Sequence, residues 1–117
     1  MGPAHKRKGQ KMDTIEKAKM AVETAVKPYG FAVTHTDDTC LKDGELWFIL
    51  SDGEISPAFF EAIFYVGKPR FVNKREGDIA FGIMDGEWSD LPDNPAEAVE
   101  RFKKYRYAKS LMEEAKN

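Results

Sequence analysis

The chain predicts an α+β fold in the order helix, strand, strand, short helix, strand, strand, helix. Its sheet is expected to be four-stranded and mainly antiparallel, with the helices packed on one face. Three observations lead there. Apolar residues recur at helical spacing near the two ends of the chain; the middle consists of short apolar runs bounded by Gly, Pro and Asp; and no strand–helix alternation of the parallel-sheet kind occurs. At 117 residues, one domain can bury a core without disulfides or a structural metal.

The first helix is expected from Asp13, where Asp13 as N-cap and Glu16 make a capping box. Ile15, Ala18, Val22, Ala25 and Val26 follow at helical spacing until Pro28 and Gly30 stop it. Ahead of it, MGPAHKRKGQK has no hydrophobic period, so residues 1–12 read as a flexible basic arm and residues 13–117 as a single domain. Met12 offers an alternative start, in which case residues 1–11 would be a vector-derived leader.

Residues 31–36, FAVTHT, alternate as a strand does, and residues 45–51, ELWFILS, read as a central, largely buried strand paired with them. Residues 56–67 begin with Ser56 and Pro57 and end on Gly67, which predicts a short buried helix carrying Phe59, Ile63 and Val66 on one side. A strand over residues 62–66 is the alternative. RFVNK and DIAFGIM then form a second hairpin around Gly77. Asn94, Pro95 and Glu97 open a long helix that runs toward Ala115, with Ala98, Phe102, Tyr105, Ala108 and Met112 along one apolar face.

Composition excludes several classes. With 42% hydrophobic and 32% charged residues the chain is that of a folded globular protein rather than a disordered one. Cys40 is the only cysteine, so no intrachain disulfide or cysteine-based zinc site can close, and a reducing, cytoplasmic setting is expected. No apolar run approaches the ~20 residues of a membrane span, and no secretory signal pattern opens the chain. A membrane partner is therefore not expected.

The net charge of −2 hides a segregation: residues 1–12 carry +4, residues 13–94 carry −8 and residues 95–117 carry +2. The acid gathers in three Asp-Gly-Glu triplets, at 43–45, 52–54 and 85–87. Asp-Gly suits a tight turn that needs positive φ. An extended run at about 3.3 Å per residue places Asp43 and Asp52 much too far apart to share one metal ion. The triplets therefore read as turn punctuation whose carboxylates, Asp43, Glu45, Asp52, Glu54, Asp85 and Glu87, could together form an acidic rim for a basic protein surface.

Basic residues supply the counterpart. Lys6, Arg7 and Lys8 in the arm, with Lys68, Arg70, Lys74 and Arg75 around Phe71, are the candidate phosphate contacts for nucleic acid. The cations of RFKKYRY, residues 101–107, read instead as the solvated flank of a helix whose Phe102 and Tyr105 face the core.

HTDDTC, residues 35–40, is the one stretch with chemistry in its residue types: His35, Asp37 and Asp38 could serve a small metal-dependent hydrolase or nuclease. No second His or Cys stands in the folded part to complete a zinc set, and a surface histidine is the commoner reason for such a residue. No phosphate-binding glycine loop, G-x-S-x-G elbow, H-E-x-x-H or dinucleotide fingerprint occurs. No cofactor or metal is expected. The leading expectation is a small non-enzymatic interaction protein engaging nucleic acid, a nucleoprotein complex or a basic protein surface, of the accessory or inhibitor type that phages and mobile elements encode.

Overall fold

A computed structural model describes the backbone of residues 3–67 and 73–116, and the side chains of residues 13–67 and 73–116. Two helices, α1 (Pro3–Val26) and α2 (Pro95–Lys116), flank five strands: β1 (Ala32–Asp37), β2 (Glu45–Ser51), β3 (Phe59–Tyr65), β4 (Ile79–Asp85) and β5 (Glu87–Asp90). The strands form one antiparallel sheet in the order β1-β2-β3-β4-β5, each paired with its sequence neighbours. The class is the expected α+β, with five strands in place of four. No helix among the described residues is long and apolar enough to cross a membrane.

Period-two alternation explains the core. Leu46, Phe48 and Leu50 of β2, Phe60 and Ala62 of β3, and Phe81 and Ile83 of β4 point to one face, where they meet Ala18, Val22 and Val26 of α1 and Ala98, Val99 and Phe102 of α2. Both helices thus cover the same face. Phe60 stacks on Phe102 with ring centroids 4.9 Å apart and on Phe81 at 5.7 Å, while Phe31 meets Phe60 edge-on at 5.1 Å. Asn94 Oδ1 accepts the Glu97 backbone N–H at 3.1 Å, so the predicted cap of α2 forms.

Three local expectations change. Asp13 lies inside α1, which begins at Pro3; proline suits a first helical turn, and the Lys, Arg and Gln ahead of Asp13 are good helix formers. Residues 59–65, expected as helix, form the central strand β3: FFEAIFY is aromatic-rich, and pairing on both edges outweighs the coincidental helical spacing of Phe59, Ile63 and Val66. The hairpin expected between RFVNK and DIAFGIM is replaced by pairing of β4 with β3. Residues 70–72 of RFVNK lie outside the described residues, and Asn73 and Lys74 belong to no strand. The turn glycine was placed correctly: Gly77 has φ 89° and donates its N–H to the Tyr65 carbonyl.

β5 was not expected. EWSD is short, polar and acidic, as an edge strand that resists further pairing should be. It turns back from β4 at Gly86, where Asp85 and Glu87 stand opposite each other.

Candidate functional site

The three acidic triplets occupy different places. Gly44, Gly53 and Gly86 all have positive φ, so each triplet is a turn. Antiparallel pairing sets Asp52 and Asp85 at one end of the sheet and Asp43 at the other, the length of β2 away. The six rim carboxylates are not one surface.

At the shared end, α2 takes up much of the charge. Arg106 reaches both oxygens of Asp52, at 2.8 and 2.9 Å, and Glu54 at 3.2 Å. The side chains of Arg106 and Asp52 are only 11% and 10% exposed, a bidentate pair largely withdrawn from water. The Arg106 hydrogen bonds hold the Asp52 carboxyl below its usual range, although burial opposes them. Lys109 and Tyr105 both donate to Asp85, and those bonds likewise lower its pKa. Glu54 and Glu87 remain exposed.

Three further cations among the described residues are occupied. Lys74 pairs with Asp93 at 3.0 Å, Lys104 with Glu100 at 3.1 Å, and Lys103 lies over the Phe31 ring. Arg75 is exposed beside the Gly77 turn. Lys6, Arg7, Lys8, Lys68 and Arg70 have side chains outside the described residues.

The other face of the sheet carries no helix. Cross-strand register arranges it in rows: His35, Ile49, Glu61, Gly82 and Asp90 across all five strands; Asp37, Trp47, Ile63 and Ala80 on one side; Phe59, Met84 and Trp88 on the other. Trp47 and Trp88 meet edge-on at 5.2 Å, and with Ile63, Tyr65 and Ala80 they form a second apolar cluster. Glu45 and Asp90 orient the two indoles by accepting their N–H groups. Gly82 is required here: a Cβ built on it would lie 2.2 Å from the Trp88 ring, which roofs that position.

Electrostatically the strands make this face acidic: Asp37, Glu45, Glu61 and Asp90 lie on it, and the strands hold neither Lys nor Arg among the described residues. Lys74, paired with Asp93, stands at its border beside Tyr65 and Trp88, while Asp85 and Glu87 belong to the covered face. The tyrosine Tyr65 reports the same field: burial raises its pKa first, and Glu45, Asp90 and Asp93 raise it further.

Glu61 stands at the centre of the central strand and is 8% exposed. It has no hydrogen-bond or ion-pair partner among the described residues, and its carboxylate oxygens keep access to solvent, since no fully enclosed side-chain oxygen among them lacks a partner. Burial, followed by the neighbouring Asp37 charge, pushes its carboxyl above the usual range. With His35, Asp37, Trp47, Ile49 and Met84 it lines a shallow cavity of about 350 Å³.

The hydrolase candidates partly converge on this cavity. His35 and Asp37 border it, while Asp38 and Cys40 lie beyond β1 in the connection to β2. Asp37 accepts from the backbone and hydroxyl of Thr39, which lowers its pKa, and His35 Nδ1 lies 3.3 Å from Thr34 Oγ1. Among the described residues, no three His, Cys, Asp or Glu side chains are grouped so that they could hold a metal ion.

Sequence reasoning missed Glu61, Trp88 and the role of Trp47. A signal for Glu61 was present: it is the one charged residue in FFEAIFY, and a lone carboxylate inside an apolar run is uncommon in a core. No protein-family model, curated protein or solved structure matches the chain.

Proposed function

We propose that the protein is a non-enzymatic interaction module whose helix-free sheet face docks on a basic protein surface. One observation carries this reading: a sheet face on which neither described helix packs, with two tryptophans and a largely buried carboxylate that no described group pairs, on strands without a single Lys or Arg among the described residues. Aromatic anchors with a polar rim are what protein interfaces concentrate, and an acidic field selects partners of the opposite sign. Nucleic acid would meet repulsion here.

A second copy of the chain fits this face poorly. Glu61 sits at its centre, so a two-fold interface through that centre would bring two buried carboxylates together. A protein of this kind would act as an accessory or inhibitor by covering a cationic surface that its partner uses elsewhere, the phosphate-binding surface of a nucleoprotein complex being the natural case.

Fluorescence anisotropy against labelled oligo-arginine, single-stranded DNA, duplex DNA and RNA, titrated with salt, separates the possibilities. The proposal predicts binding to the basic peptide alone. It also predicts loss of that binding in Met84→Lys and retention in Tyr107→Lys, which adds the same charge at an exposed α2 position. Nucleic-acid binding that weakens with a steep salt slope, without peptide binding, would overturn the proposal in favour of the cation-mediated alternative.

A further inference from the structure

The cavity beside Glu61 is more specific than the face around it. It is lined by the acidic Glu61 and Asp37, the apolar Trp47, Ile49 and Met84, and His35. A carboxylate on the middle strand of a sheet, largely withdrawn from water and without a partner among the described residues, is disfavoured in its charged form. The molecule has cations to spend, as Arg106 on Asp52 shows, yet none of the described ones reaches Glu61. An indole, thioether and aliphatic lining with acidic groups suits a planar, weakly hydrated cation on an apolar stem.

We infer that this cavity is a socket for a single arginine side chain of the partner, its guanidinium on Glu61 and its stem along Trp47, Ile49 and Met84. The inference rests on the docking reading above and names the contact that anchors it. Asp37 adds charge, whereas Arg106, Lys109 and Lys74 are held on other carboxylates.

The test uses L-argininamide as the probe on the full chain, followed by NMR of the Trp47 indole N–H and of the Glu61 side-chain carboxyl. Saturable binding is expected, with a Kd on the order of 10 mM or tighter for so small a ligand. Neutral L-citrullinamide should not bind, and L-lysinamide should bind more weakly. Bound argininamide should draw the Glu61 titration back toward the ordinary carboxylate range; His35 and Asp37 of β1, Glu45 of β2 and Asp90 of β5 are the other titrating groups to follow on this face.

Glu61→Gln keeps shape and removes charge, and should weaken argininamide by about tenfold or more. Trp47→Phe, as a second variant, should weaken it less. Equal binding of citrullinamide, an unchanged Kd in Glu61→Gln, tighter binding of lysinamide or no saturation by roughly 100 mM would overturn the socket. The two proposals separate cleanly. Oligo-arginine bound by wild type and Glu61→Gln alike retains the docking face and removes the socket, whereas Glu61-dependent argininamide binding without oligo-arginine binding retains the socket alone.

Discussion

The two faces of the sheet are built by the same strands, residue by alternate residue, and they differ in what finishes them. The covered face is sealed by α1 and α2 around Phe48, Phe60, Phe81 and Phe102, and its one inner strand carboxylate at the sheet end, Asp85, is held by Tyr105 and Lys109 of α2. The helix-free face carries a smaller apolar cluster around Trp47 and Trp88 and holds Glu61 near its centre. A similar contrast separates two carboxylates. Asp52 is largely withdrawn from water and paired with Arg106; Glu61 is largely buried, reaches solvent at its oxygens and has no partner among the described residues. Stability explains the first arrangement and works against the second, so the second calls for a partner.

Breaking the covered face should have the largest effect. Phe60→Ala removes a fully buried ring from contacts with Phe31, Phe81 and Phe102, and should lower the unfolding free energy by about 3–5 kcal/mol in urea titrations. Arg106→Met should follow at about 3 kcal/mol, because it leaves Asp52 charged, shielded and alone. That deficit carries a pH signature. Asp52 titrates below its ordinary value of 3.8 in the folded chain, so the stability it contributes is complete above that value and is lost as pH falls through the folded pKa. Urea midpoints of wild type and Arg106→Met should therefore converge in acid.

On the helix-free face the effects shrink and then change sign. Gly82→Ala drives a methyl into the Trp88 ring and should cost about 1–3 kcal/mol, with loss of the near-UV circular dichroism that the Trp47–Trp88 contact produces. Glu61→Gln should stabilise the free protein at neutral pH by about 0.5–1 kcal/mol. Glu61 titrates above the ordinary 4.5 when folded, so the folded state holds its proton longer than the unfolded state does. Wild-type stability consequently falls as pH rises from that ordinary value through the folded pKa, and the advantage of Glu61→Gln should grow over the same window. A variant that gains stability while losing binding marks a residue kept for function.

Much of the fold was legible because its signals are local. Asn94, Pro95 and Glu97 announced α2, and the alternation of ELWFILS announced β2. β3 escapes the strand pattern because a strand that must satisfy a helix-covered face and a largely apolar outer face loses its alternation, and an apolar run broken only by Glu61 between Pro57 and Gly67 satisfies helical spacing as well. The acidic rim was legible as composition and illegible as geometry: nothing local says that Arg106 lies beside Asp52, 54 positions earlier in the chain. Trp88 was hidden in a four-residue edge strand that only its pairing with β4 defines.

The most direct measurement is a two-dimensional amide and indole NMR titration of the full chain with oligo-arginine. The account predicts that perturbations concentrate on the helix-free face, at both tryptophan indoles and at Ile49, Glu61, Ile63 and Met84, with α2 unmoved. Perturbations confined to the turn carboxylates Asp43, Glu54 and Glu87, or to Arg75 and its neighbours with nucleic acid in place of the peptide, would contradict it.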